Sequence, residues 1–348
     1  MWLQRLLIRY QMLTKALSKI PRKRLWHTQT PLEPAPNLAK ALGAKNIWIK
    51  RDDCNGLAFG GNKVRQMEYY LGDAISKQAD TLLITGAVQS NFVRTAAAAC
   101  AKVGMECHVQ LENRVSKNSE AYANSGNVLL DHMLGAHIHF FPEGEDEEGA
   151  DRNLEIIADT LSAKGRKPYV VHLHPSHPPL GALGYVDAAV ELNQQISDEE
   201  LPVDCIFVPS GSGNTHGGFL YGWHGLENDT PVYGSCVRRD ATLQRPRIEE
   251  RLQQVALLLG EGPLKRPEIV RLTDAFLAPG YGVAGDEVKK AIALAARKEA
   301  IILDPVYTGK TFAAAFDYVL QNPGCSVVVL HSGGGPSIFG YGIKELVG

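Results

Sequence analysis

Short apolar runs alternate with longer segments of helical spacing along most of the chain. Thr81 to Thr85, Cys107 to Leu111, His137 to Phe141, Tyr169 to Leu173, Cys205 to Pro209, Pro231 to Cys236 and Ser326 to Leu330 have the length and apolar content of strands. Between them, Val64 to Ser76, Val93 to Lys102, Asn127 to Leu134, Arg152 to Ala163, Gly184 to Gln195, the Ala241–Gly260 region and Asp286 to Glu299 carry helical periodicity. Asn46 to Asp53 reads as a strand running into a polar turn. This alternation is the βαβ pattern and predicts an α/β fold with parallel sheets flanked by helices. The acidic run from Glu143 to Asp151 is expected to be a solvated loop.

With 348 residues the chain exceeds one small core, and about two domains are expected. A hydrophobic content of 45% and a net charge of −2 fit a globular protein and argue against nucleic acid as its main partner. No apolar run is long enough to span a bilayer. The cysteines at 54, 100, 107, 205, 236 and 325 make neither a zinc motif nor a disulfide framework, so no metal ligands are expected and a reducing, cytoplasmic setting is. Met1 to Arg24 is basic and free of acid. It reads as an organelle-targeting presequence, an extra surface helix or an overlong start.

Candidate chemistry gathers where apolar runs end. Gly60-Gly61-Asn62-Lys63 places a lysine at a loop-to-helix junction, where backbone N–H groups are unpaired and negative charge is welcome. Its amine is either a Schiff-base partner for an aldehyde cofactor or a solvated turn lysine, and the segment alone leaves both open. Ser210 to Gly218 delivers glycines and hydroxyls to a helix start, a cup suited to phosphate. A dinucleotide fingerprint would need glycine where His216 stands, and a P-loop would need a lysine that is absent. Gln89-Ser90-Asn91 lies at a strand's carboxyl end, where ligands bind, although serine and asparagine there are also ordinary helix caps. Tyr281, Tyr307-Thr308 and His331-Ser332 are placed similarly. The combination suggests pyridoxal phosphate.

These residues, with Ile49-Lys50-Arg51-Asp52-Asp53, Gly181-Ala182-Leu183-Gly184-Tyr185 and Asp304-Pro305-Val306-Tyr307-Thr308-Gly309-Lys310, resemble the 1-aminocyclopropane-1-carboxylate deaminase/D-cysteine desulfhydrase family. The likeness runs from about Leu17 to the C-terminus. It implies the tryptophan-synthase-β-like fold of pyridoxal-phosphate enzymes, with two open, twisted, mostly parallel sheets. Residues 17–63 with 174–348 would form a large cofactor-binding domain and 64–173 a small α/β domain, with 1–16 an N-terminal extension. It also implies a homodimer acting on a small amino acid, with neither membrane nor nucleic acid as a partner.

The resemblance assigns roles too. Lys63 would hold the cofactor and move the Cα proton. Asn91 would bond the pyridoxal 3′-oxygen. Gln89 and Ser90 would meet the substrate carboxylate, with Ser90 also a candidate proton acceptor. Ser212, Gly213, Asn214 and Thr215 would bind the phosphate, Tyr281 and Tyr307 would flank the reacting side chain, and Thr308 and Ser332 would face the pyridine nitrogen. The ring-opening deaminase carries a glutamate where this chain has Thr308 and a leucine where it has Ser332. A hydroxyl leaves the pyridine nitrogen largely neutral and favours rapid β-elimination. The resemblance therefore points to D-cysteine desulfhydrase chemistry, yielding pyruvate, ammonia and hydrogen sulfide. His174 and His177, where relatives carry a small turn, offer protons for an anionic leaving group. That makes L-cysteate sulfo-lyase the alternative, unless these residues merely reshape an outer loop. A ring-opening deaminase and a non-catalytic pyridoxal-phosphate binder are weaker alternatives. No role follows for His216.

Overall fold

The computed structural model describes residues 2–346 except 116, 118, 173, 175 and 263–266. In order, its elements are α1 (Trp2–Ser18), β1 (Leu32–Pro34), α2 (Pro36–Leu42), β2 (Asn46–Arg51), α3 (Asn62–Ser76), β3 (Thr81–Ala87), α4 (Asn91–Val103), β4 (Glu106–Glu112), α5 (Glu120–Asn124), α6 (Asn127–Met133), β5 (His137–Phe141), α7 (Glu147–Ala163) and β6 (Pro168–Val171). There follow α8 (Leu183–Asp198), β7 (Cys205–Ser210), α9 (Asn214–Gly225), β8 (Val232–Cys236), α10 (Ala241–Leu258), β9 (Arg271–Thr273), β10 (Pro279–Gly280), β11 (Val283–Ala284), α11 (Asp286–Glu299), α12 (Thr308–Gln321), β12 (Ser326–His331) and α13 (Ile343–Leu346).

Two larger sheets organise the chain. One has the order β1-β2-β12-β7-β8-β9 and the other β5-β4-β3-β6, while β10 and β11 form a separate hairpin. All pairings within the two larger sheets are parallel except β1 with β2. Alternation along each strand explains why both faces are covered. In the larger sheet, Trp48, Ile206, Val208, Val328 and Leu330 pack on one face against α8 and α9. Ile47, Ile49, Phe207, Val327 and Val329 pack on the other against α11 and α12. The smaller sheet rests Leu82, Ile84, Val109 and Leu111 on α3 and α4, and Leu83 on α7. Leu13 and Leu17 are buried in the first of these cores, and α1 runs continuously across position 16 and packs against α8 and α9.

One sequence expectation fails here. The Glu143–Asp151 run is not a solvated loop throughout, because α7 begins at Glu147. Asp146 caps it by accepting from the Gly149 N–H at 2.8 Å, and arginines from the other sheet draw Glu147 inward. The short β1, β9, β10 and β11 carry too little periodicity to be read from sequence. The strand expected to reach Leu173 ends at Val171, and Leu173 itself lies outside the described residues.

Candidate active site

A cavity opens beyond the carboxyl ends of β3, β7, β8 and β12, where helices begin and backbone N–H groups point outward. Lys63, Ser90, Asn91, Ser212, Gly213, Thr215, Tyr281, Tyr307 and Ser332 all line it, although they are spread over most of the chain.

Lys63 is held at the first turn of α3. Its Nζ donates to Gln66 Oε1 at 3.2 Å and lies 4.8 Å from the centre of the Phe92 ring. Among the described residues no carboxylate pairs with it. Removal of water therefore lowers its pKa to about 8. An amine so poised is partly neutral near pH 7 and able to attack an aldehyde.

Two glycines shape the cup. Gly213 caps α9 in the left-handed region, at φ +96°, and a Cβ there would stand 2.9 Å from Arg251 Cγ. The Thr215 hydroxyl accepts from Asn62 Nδ2 at 2.9 Å and Gln66 Nε2 at 3.0 Å, which leaves its own proton to donate. Asn214 differs from its neighbours. Its side chain points away towards Tyr70, and its buried Oδ1 has no partner among the described residues. His216 sits beneath the cup. Its ring fills the space over Gly234, where a Cβ would come within 2.3 Å. Ser210 Oγ accepts from Gln244 at 3.0 Å and shares a hydrogen bond with His216 Nδ1 at 3.1 Å. Burial lowers the imidazole pKa to about 3, so His216 is a neutral packing group.

The strand-end residues divide. Ser90 caps α4, accepting from Phe92 and Val93 N–H at 3.2 and 3.3 Å, and still faces the cavity. Asn91 Oδ1 accepts from Asn127 Nδ2 at 2.9 Å, which orients its own amide N–H2. Gln89 is not in the lining. Its amide spans Tyr122 O, Ser125 O and the Asn127 N–H, tying α5 and α6 to the β3 end. Thr308 is also outside the lining. Its hydroxyl donates to Asp304 Oδ2 at 2.7 Å and accepts from the Asp304 N–H at 2.8 Å. Ser332 does face the cavity. Tyr281 and Tyr307 touch through their hydroxyls at 2.7 Å with rings edge to face, and burial beside Tyr281 holds the Tyr307 phenol well above its usual range.

His174 and His177 do not reach this cavity. They line a surface hollow with Asp151, Arg152, Glu155 and His172. His172 bonds Glu155 at 2.6 Å and stacks on His177 at 3.7 Å, which pins the loop against α7. Pro175 of that loop lies outside the described residues.

An ion cluster at the cavity mouth escaped the sequence reading. Glu147 on α7 accepts from Arg238, from Arg239 at 2.8 Å and from Arg247 at 3.3 Å. Burial alone would raise its pKa, but the guanidinium groups overcome this and hold it at about 2. Arg114 lines the same mouth, paired with Glu112 at 2.7 Å. The Arg238-Arg239 pair directly follows a strand, and that was the available signal. Lys310 was also unread. Its buried Nζ donates to Leu277 O at 2.8 Å and Gly280 O at 2.6 Å, which fixes the turn carrying Tyr281.

A phosphate cup with a free hydroxyl donor, facing a buried amine with no acid beside it, fits a cofactor that bears both an aldehyde and a phosphate. The chain belongs to the family described as pyridoxal-phosphate dependent enzyme, whose model matches residues 23–333. It is an enzyme of that cofactor class. Among individual proteins, it is 38% identical to D-cysteine desulfhydrase of Salmonella choleraesuis over 328 residues, covering 93% of this chain and 97% of that one. A crystal structure described as an ACC deaminase homologue superposes with a TM-score of 0.85 at 35% identity, covering 96% of this chain and 98% of that one. Threonine deaminase isoform 2 of Solanum lycopersicum, at 17% identity and a TM-score of 0.62, covers 94% of this chain and 89% of that one and shares the fold.

Proposed function

We propose that this chain catalyses β-elimination on a small amino acid, with D-cysteine the leading substrate, and releases pyruvate, ammonia and hydrogen sulfide. The observation that carries the reading is near full-length similarity to D-cysteine desulfhydrase, 97% of which is covered at 38% identity. Pyridoxal phosphate, when bound, supplies an electron sink that acidifies the substrate Cα–H. Lys63 holds the cofactor and carries the proton at Nζ. Ser212, Gly213 and Thr215 bind phosphate through backbone N–H groups and a hydroxyl, with Asn214 contributing its N–H at the start of α9. Asn91 directs its amide to the 3′-oxygen. Ser90 meets the substrate carboxylate, and Gln89 acts from behind by holding α5 and α6. Tyr281 and Tyr307 flank the leaving group with one shared proton network.

Ser332 offers the ring nitrogen a hydroxyl, whereas Thr308 is turned out of the cavity by its bonds to Asp304. A hydroxyl at that nitrogen disfavours a strongly protonated ring and favours expulsion of a good leaving group. The histidine pair that suggested sulfite as the leaving group lies outside the cavity, which removes the sequence ground for L-cysteate. The division into residues 17–63 with 174–348 around the cofactor and 64–173 as the smaller unit belongs to this reading. So do a homodimer and a cytoplasmic location, without membrane or nucleic acid as partner. No helix among the described residues is long and apolar enough to cross a membrane.

Pyruvate release measured across D-cysteine, L-cysteine, β-chloro-D-alanine, L-cysteate and 1-aminocyclopropane-1-carboxylate tests the assignment. D-cysteine should give the highest kcat/KM, with sulfide equal to pyruvate. Dominant turnover of the cyclopropane substrate would refute the role given to Ser332.

A further inference from the structure

We propose that the small sheet binds a divalent transition-metal ion of the zinc class through Glu106, His108 and His137, with His139 positioning His108. The site lies apart from the cavity and is independent of the functional reading above. Glu106 is at the amino end of β4, whereas Lys63 and its neighbours gather at the carboxyl ends of strands. The sequence reading expected no metal because it sought cysteine spacings. These ligands are instead assembled by register.

Alternate residues of a strand share a face. Glu106 and His108 therefore project together from β4, and His137 and His139 together from the edge strand β5. The parallel register sets His108 opposite His137. Glu106 Oε1 lies 2.8 Å from His108 Nε2 and 3.6 Å from His137 Nε2. One ligand atom from each of the three falls within 4.8 Å of the others. Ligands about 2.0–2.2 Å from a zinc ion stand roughly 3–4 Å apart, so modest side-chain rotation closes the site.

The surroundings prepare the donors. His108 Nδ1 lies 3.0 Å from His139 Nε2. With an ion bound, donation from His108 Nδ1 to His139 would turn the Nε2 lone pair of His108 to the ion in place of its present hydrogen bond with Glu106, as outer partners of metal-bound histidines do. Its ring stacks on His137 and His139 at 4.6 and 5.3 Å. Arg166 holds the second oxygen of Glu106 at 2.7 Å, leaving Oε1 for the ion. Two imidazoles and one carboxylate select zinc, nickel or copper over magnesium or calcium. His137 is exposed, so water completes the coordination.

The test uses holoenzyme dialysed against a chelator and titrated calorimetrically with zinc chloride in a non-coordinating buffer. Wild type should bind one ion per chain, and its melting temperature should rise with zinc. His137→Ala should abolish that binding and the thermal shift. His139→Ala should weaken binding about tenfold. His132→Ala, at an exposed histidine of α6, should change neither. His137→Gln, a milder change at the same exposed position, serves if the alanine variant folds poorly, and cofactor absorbance reports the fold in each. Comparison with wild type cancels zinc held elsewhere, as at the exposed Cys54. Failure of wild type to take up zinc, or equal uptake by wild type and the His137 variants, overturns the proposal.

Discussion

Lys63 projects its amine into a cavity wall of aromatic and polar atoms, with no carboxylate beside it among the described residues, and its pKa falls to about 8. The sign is that of a cation deprived of water. The amine is protonated below about pH 8 and neutral above it. Capture of pyridoxal phosphate by apoenzyme should therefore accelerate as pH rises through about 8 and then level off, which stopped-flow absorbance can follow. Lys63→Ala should fold yet lose the visible absorption band. The convergence of Lys63, Ser90, Asn91 and Ser332 on one cavity was readable because each stands in a short motif at a strand end or helix start. His174 and His177 were misread for the opposite reason. A histidine's letter does not say which way its loop turns, and here the Glu155 carboxylate and ring stacking hold the loop against α7.

At the scale of elements, the β10–β11 turn is fixed by Lys310, whose ammonium bonds the carbonyls of Leu277, ahead of β10, and Gly280, within it. Lys310→Met should leave cofactor absorbance in place and lower kcat by about 10- to 100-fold, since small misplacements of Tyr281 are costly. Steady-state kinetics beside the absorption spectrum would show this split. Equal loss of both would point to a folding defect instead. The Glu147 cluster works between elements as well. It joins α7 of the small sheet to the end of β8 and to α10 on the large one, across the cavity mouth. Glu147→Gln should weaken that bridge, leave the arginines unneutralised and raise inhibition by sulfate. Inhibition constants for sulfate in the two proteins check it.

At the scale of the whole molecule, Arg65, Asp52, Glu191, Lys50, Thr30 and Tyr185 form a buried network between α3, the end of β2 and α8. Arg65 bonds both oxygens of Asp52 and both of Glu191 while fully buried. Arg65→Met would strand two carboxylates and should cost about 3–5 kcal/mol in urea denaturation. Acid should act on the same network. Burial alone would raise the Glu191 pKa, but Arg65 and Lys50 outweigh it and hold it at about 2, below its ordinary 4.5. Its contribution is complete above about pH 4.5 and is lost as pH falls towards 2. Chemical denaturation across that window, compared with Glu191→Gln, would isolate it.

The sequence by itself determined the α/β class, most element positions and the cofactor chemistry. These follow from local causes: strand and helix periodicity, glycines at helix starts, and hydroxyls at strand ends. Tertiary structure decided what depends on groups far apart in the chain. It turned Gln89 and Thr308 away from the cavity because Asn127 and Asp304 claim their polar atoms. It drew Glu147 from an expected loop into a helix start beneath three guanidiniums. It also set Glu106, His108, His137 and His139 on one sheet face. Strand pairing and charge neutralisation act through space, and no local pattern of residues encodes them.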